Sequence, residues 1–275
     1  MITLAEYKTI LQKLKKDGFI SQPILSIENG NTKGIFLKHD VECKIERAVQ
    51  MAQIEKDSGH VATYYFQADF LETDKGLRGM QKIGEMGHEV GYHYDVLDEN
   101  DGDFEKAQRQ FDKFIRAFSA LGYPIETVCP HGNPTKIRSG WKSNKDFFKS
   151  EQIRKEFDNI FDIVVDLESV IPNSIYISDA GYQLRIINDI GGNDSSNTTA
   201  MNDGHPILWS ELQAHLERNE TIILSLHPHR FASTMVQAKF RRMTFKIVKK
   251  AYALLRKIPG VSIVLNKYYN LARRI

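Results

Sequence analysis

Short β-branched and aromatic runs alternate with amphipathic helical patterns along most of this chain. That alternation limits its fold more than any other feature. Residues 35–41 (IFLKHDV) read as a strand, 45–56 as a helix closed by Gly59, and 61–66 (VATYYF) as a second strand. The pattern continues with a helix over 77–86, a strand over 89–94, a long helix over 104–121 and a strand over 125–129. In the long helix Phe104, Ala107, Phe111, Phe114, Ile115 and Phe118 share one face. Short strands over 161–165 and 175–178, a helix over 208–217, a strand over 221–226 and a long helix over 235–257 follow; 261–265 is apolar and of undecided type. A helix over 4–16, within an N-terminal segment 3–17 and ended by Gly18, precedes them all.

Strands alternating with helices predict an α/β chain with a parallel sheet and helices outside it. Six or seven such units in 275 residues fit a closed or nearly closed barrel. With no internal repeat and no clear linker, the whole chain, 1–275, is expected to be a single domain. Two stretches read as long loops: 130–149, carrying HGNP and Trp141, and 189–206, rich in Gly, Asn, Asp and Ser.

Composition excludes several classes. Hydrophobic residues at 41% and charged residues at 26% are globular values, which removes disorder and collagen. Two cysteines are too few for a disulfide scaffold. No run of about 18 apolar residues exists, so no segment is expected to span a membrane. The N-terminus lacks a signal-peptide core, and a cytoplasmic chain is expected. The net charge of +2 conceals a split: 12 of the 37 Lys and Arg, and none of the 35 Asp and Glu, follow Glu220. The last 55 residues therefore carry +12 and the remainder −10.

Six of the nine histidines fall at or just beyond the C-terminal ends of expected strands: His39, His88, His93, His131, His227 and His229. In α/β barrels the loops of several strands converge at that end. In Lys38-His39-Asp40-Val41-Glu42, alternation puts Asp40 and Glu42 on one face and His39 and Val41 on the other. Two carboxylates so placed could divide metal binding and general base work, or form a solvated strand end. In GHEVGYHY, Glu89, Gly91 and His93 share a face; Gly91 leaves room beside His93, and His88 falls to packing or outer support. CPHGNP places His131 at a sharp turn after a strand. In LSLHPHR, Pro228 ends the strand and leaves His227 at the rim. Asp179 closes another strand. Imidazoles with carboxylates suit Zn²⁺, Mn²⁺ or Fe²⁺ better than Mg²⁺ or Ca²⁺, and imply metal-assisted hydrolysis. Cys43 and Cys129 adjoin these motifs, either as packed thiols or as soft ligands.

HDVE, GHEVGYH, CPHGNP and LSLHP, in this order, resemble the polysaccharide deacetylases, the superfamily with the NodB homology domain also termed carbohydrate esterase family four. The resemblance spans residues 36–229, and GHEVGYH is its most specific part. It implies a distorted (β/α)7 barrel, a divalent metal, usually zinc, and hydrolysis of N-acetyl groups on an amino sugar or surface-glycan precursor. Carried over, Asp40 is the base, Glu42 and His93 are metal ligands, and His227 protonates the leaving amine; a nearby carboxylate such as Asp179 is expected to charge His227. Three positions depart from the family's pattern. Leu97 stands where a second metal histidine is usual, His131 where an aromatic is usual, and Glu42 where Asp is commoner. Either His131 supplies the third ligand or the metal is weak or absent; Asp95 and Asp98 are poorer ligands. Two alternatives accompany the deacetylase: another C–N amide hydrolase on the same scaffold, and a metal-free glycan-binding or scaffolding protein.

The basic C-terminal segment, 234–275, has an apolar stripe at Val236, Phe240, Met243, Ile247, Ala251 and Leu254. Its plainer reading is a helix covering the barrel with a solvated basic face. The sharper one is peripheral contact with an anionic membrane. Nucleic acid is not expected, since no binding motif accompanies the charge.

Overall fold

The computed structural model describes residues 3–133, 136–179, 184–187, 190, 207 and 209–255. In chain order the elements are α1 (Leu4–Lys16), α2 (Leu25–Glu28), β1 (Ile35–Val41), α3 (Ile45–Ser58), β2 (Thr63–Phe66), α4 (Asp74–Glu85) and β3 (Glu89–Tyr94). There follow α5 (Val96–Glu99), α6 (Phe104–Ala120), β4 (Thr127–Pro130), α7 (Asp146–Lys149), α8 (Glu151–Glu156), β5 (Phe161–Asp162) and α9 (Leu167–Val170). The last are β6 (Ile175–Ser178), β7 (Arg185–Ile186), α10 (Trp209–Glu217), β8 (Ile222–Leu226) and α11 (Met235–Leu255).

The strands form one curled sheet, a half-barrel, in the order β5-β4-β3-β2-β1-β8-β6-β7. Every pairing is parallel except β6 with β7. The expected α/β barrel is thus present in distorted, open form, with β5 and β7 at the two edges among the described residues.

Alternation along each strand sorts side chains into two layers. Ile35, Leu37, Tyr64, Tyr92 and Leu224 pack outward with Leu11, Met51, Phe111 and other helix residues. Phe36, Tyr65, Cys129, Tyr176 and Ile223 fill the concave side. Near the C-terminal ends the concave face turns polar, with Lys38, Asp40 and His93 all buried. Gly91 leaves room, as expected, but for a different neighbour. A Cβ there would lie 2.5 Å from the Tyr65 ring, so the space is filled from β2 rather than left beside His93.

Helix boundaries follow local chemistry. Thr3 and Glu6 cap α1 reciprocally: Glu6 N–H donates to Thr3 Oγ1 (3.1 Å) and Thr3 N–H to Glu6 Oε2 (2.8 Å). Gly59, with φ of 77°, ends α3. Helix α4 starts at Asp74, ahead of the expected 77, because Thr73 caps it through Gly76 N–H (3.0 Å). The expected strand over 161–165 stops at Asp162, whose carboxylate accepts the N–H groups of Val164 (2.9 Å) and Val165 (3.0 Å) and folds the chain back. Past Pro130, the end of β4, the described residues of the 130–149 stretch are irregular until α7. The 189–206 loop, apart from Ile190, and the 261–265 run lie outside the described residues.

One expectation is overturned. The described part of the apolar stripe of α11 does not cover the barrel: Val236 is 80%, Phe240 63%, Met243 55% and Ile247 60% exposed. Ala238, at 2%, lies on the packed side instead. No helix among the described residues is long and apolar enough to cross a membrane.

Candidate active site

Strand β1 delivers Lys38 and Asp40 to the concave face, and Glu42 follows one residue past its end. Parallel pairing brings β3 alongside β2, and β4 alongside β3, with His93 opposite Cys129. On the other side β1 pairs with β8, which leads directly into His227. Residues far apart in sequence therefore meet at one rim.

Three imidazoles there are oriented through Nδ1. His93 Nδ1 lies 2.9 Å from the Cys129 carbonyl oxygen. A carbonyl can only accept, so Nδ1 carries the proton and Nε2 keeps its lone pair. His131 Nδ1 donates to Asp95 Oδ2 (2.8 Å) and His227 Nδ1 to Asp179 Oδ1 (2.7 Å), so each of these rings also turns its Nε2 away from that partner. All three Nε2 atoms then face one carboxylate: Glu42 Oε1 is 4.0 Å from His93, 3.6 Å from His131 and 3.8 Å from His227. His229 adds a fourth, its Nε2 4.0 Å from Glu42 Oε2. Burial pushes His93 down to about 4 and His229 down to about 3, so both rings are neutral at ordinary pH.

Among the described residues two groups of side chains could hold a metal by spacing, and the first is Glu42, His93 and His131, whose ligand atoms all lie within 4.8 Å of one another. His93 Nε2 is buried with no hydrogen-bond partner, a costly state that a metal would relieve. Two imidazoles and a carboxylate fit Zn²⁺, Mn²⁺ or Fe²⁺. The second group, Asp40, His93 and Cys129, already contains a cation. Lys38 Nζ donates to both Asp40 oxygens (2.7 and 3.0 Å) and to Cys129 Sγ (3.0 Å). Burial pushes the Cys129 thiol well above its ordinary value, so it stays protonated and is a poor ligand.

Asp40 is itself buried. Burial alone would raise its pKa, but the charge of Lys38, aided by His93 and His227, more than offsets this and holds the carboxyl well below the carboxylate range. His227 Nε2 lies 3.7 Å from Asp40 Oδ2. Asp179 accepts from His227 Nδ1, from the His227 N–H (2.9 Å) and from Arg230 Nη1 (2.8 Å). Burial alone would raise its pKa, but the charge of Arg230 together with the interactions from His227 outweighs this, and Asp179 sits at about 2.

Asp95 and Asp98 stand behind His131 rather than facing Glu42. Asp95 holds His131 and also accepts from Asn144 Nδ2. Asn144, fully buried, donates to the His131 carbonyl (2.9 Å) and accepts from the N–H groups of Leu97 (3.1 Å) and Asp98 (3.0 Å). Arg138 clasps Asp98 with two bonds of 2.7 and 2.6 Å, and Trp141 Nε1 donates to it (2.8 Å). The long stretch after β4 is thus a brace for His131. Leu97, where the family pattern has a second histidine, is buried in the outer core.

His39 and His88 face away from the rim. His39 Nε2 lies 2.7 Å from Glu55 Oε1, and Tyr7 and Tyr64 also donate to Glu55. His88 Nε2 donates to the Ala52 carbonyl (3.0 Å). Sequence reasoning overlooked Lys38, Asn144 and Arg230, and left His229 without a role. The alternation that aimed Asp40 inward also aims Lys38 inward, so that signal was present. Nothing in the sequence near Asn144 marks it as a brace.

No protein-family model and no curated protein sequence matches the chain. Solved structures similar to it include a family four carbohydrate esterase (CE4) pseudoenzyme, BA3943 from Bacillus anthracis, at 18% identity and a TM-score of 0.41. That likeness covers 78% of this chain, which spans only 61% of the other. A Streptococcus mutans CE4 esterase is similar at 14% identity and a TM-score of 0.45, covering 86% of this chain and 90% of that one. A Streptomyces lividans family 4 carbohydrate esterase in complex with acetate is similar at 12% identity and a TM-score of 0.42, covering 78% and 88%.

Proposed function

We propose that this chain is a metal-dependent hydrolase that removes an N-acetyl group from an amino sugar or surface-glycan precursor. The observation that carries the reading is the convergence of His93, His131 and His227 Nε2 on Glu42, with Asp40 beside them. The HDVE, GHEVGYH, CPHGNP and LSLHP motifs supply those same residues, and their likeness to the deacetylases gives the substrate class.

Glu42, His93 and His131 would hold the metal, with zinc, manganese or iron as the fitting ions. Once bound, it supplies Lewis-acid polarisation of the acetyl carbonyl and eases deprotonation of water. Asp40, kept ionised by Lys38, accepts the proton of the attacking water. His227 is oriented by Asp179 through Nδ1, so its Nε2 faces the site and delivers a proton to the leaving nitrogen. Water adds to the carbonyl carbon, the C–N bond breaks, and acetate and free amine leave. The main-chain N–H of His131 is spent on the Tyr94 carbonyl (2.8 Å), so an oxyanion donor from this turn has to come from beyond it.

Elemental analysis of chelator-free protein, together with acetate release from N-acetylated oligosaccharides, tests the reading. Asp40→Asn should retain the metal and lose turnover by at least about a hundredfold. Normal turnover in that variant would sink the base assignment.

The Lys38 clamp favours a second reading, a glycan-binding protein without turnover. A carboxylate held so far below its ordinary range is a weak base. Metal-free protein that binds N-acetylated oligosaccharides without releasing acetate would establish this second reading over the first.

A further inference from the structure

Helix α11 is inverted with respect to an ordinary surface helix. Its apolar residues Val236, Phe240, Met243 and Ile247, at spacings of four, three and four, share one face that points outward. The side that meets the protein near its start presents Ala238 and the half-buried Gln237 and Arg241. Arg241 Nη1 donates to the His229 carbonyl (3.3 Å), which ties the root of the helix to the candidate site.

Positive charge is concentrated in this segment of the sequence. Lys239 is exposed, and the sequence adds Lys246, Lys249 and Lys250 with no Asp or Glu anywhere after Glu220. At the root, Arg47 donates to Ser233 Oγ (2.9 Å) and Gln50 Oε1 (3.0 Å), both neutral. Burial and then the charge of Arg241 push both Arg47 and Lys44 below their ordinary values. Cations crowded in this way call for an anionic counterpart.

We propose that α11 is a docking helix that lies on an anionic lipid surface, its apolar stripe sunk among the acyl chains and its cations against the headgroups. The charge decides among occupants. A second copy of the chain would bring two +12 segments together. A nucleic acid would leave the apolar stripe in water. Only a surface both anionic and apolar satisfies both parts of the face. This proposal does not depend on the hydrolase reading.

Full-length protein is sedimented with vesicles of phosphatidylcholine alone and with vesicles of equal phosphatidylcholine and phosphatidylglycerol. Binding should be at least about tenfold tighter on the anionic vesicles and weaken as salt is raised. Phe240→Ser with Met243→Ser should weaken that binding by about tenfold and leave the melting temperature unchanged, since both side chains are exposed. Equal binding to the two vesicles, no binding to either, or full binding by the double variant overturns the proposal. So does a dimer in solution that the double variant dissociates.

Discussion

Asp95 works at one remove from the rim, through the ring it holds. Removing its carboxylate leaves His131 free to rotate and to change tautomer. Asp95→Ala should lower metal affinity by about 10–100-fold in a chelator competition, while Asp95→Asn keeps part of it. An unchanged affinity would show that His131 is not held through Asp95. His93 and His229 make a different prediction. The unfolded chain protonates its imidazoles below about 6.5, whereas these two stay neutral in the fold until about 4 and about 3. The unfolded state therefore binds more protons in that window, and stability falls as pH drops from about 6.5 towards 4, by about 1.4 kcal/mol per pH unit for each ring. Urea unfolding of metal-free protein at pH 7 and pH 5 should show this loss. His229→Gln should remove one ring's share, and an unchanged slope would contradict it. At this scale the sequence was informative where one rule sufficed. Period-two alternation aimed Asp40 and His93 to the concave face, whereas the ligand set Glu42, His93 and His131 came from the family resemblance and its departure at Leu97, not from any periodicity. The sequence was silent on Asn144, because a brace in which one side chain bonds three backbone groups on two separate stretches has no periodic signature.

Elements were legible in proportion to the strength of their local signals. β1, β3, β6 and α1 have the bounds that hydrophobic pattern and caps predicted. The errors cluster where a single side chain or close tertiary contact overrides local preference. The two-residue antiparallel β7 is too short to carry a pattern. Helix α4 contains Gly76 and Gly79, poor helix formers whose value lies in packing. A Cβ at Gly79 would lie 2.2 Å from Ile45 Cγ1 of α3. Helix propensity alone makes Gly79→Ala stabilising by about 1 kcal/mol. The clash with a buried β-branched side chain costs about 1–3 kcal/mol and should win. A lower urea midpoint for Gly79→Ala checks this, and a higher one would show that α3 and α4 can separate at little cost. The stripe of α11 shows the opposite limit. Periodicity identified the apolar face correctly but could not say which way it turned, because direction depends on whether another surface is there to receive it.

Across the whole molecule, the proposed ligands come from the end of β1, from β3 and from the turn after β4, so a bound ion would tie together units separated by long stretches of chain. Saturating metal at about 100 times its dissociation constant should add about 2.7 kcal/mol to stability. For a protein of this size the melting temperature should then rise by several degrees, at about 2–4 °C per kcal/mol. Differential scanning fluorimetry with Zn²⁺ and then with chelator measures it, and a His93→Ala variant should show no such rise. The sheet order has a consequence for how the molecule is made. β1 lies between β2 and β8, yet β8 is the last strand among the described residues. As synthesis proceeds from the ribosome, β1 to β5 can assemble early, while the far side of β1 keeps its backbone groups unpaired until residues 222–226 emerge. The strand bearing Asp40 is thus made first and enclosed last, an open edge in the nascent chain that holding chaperones would have to guard.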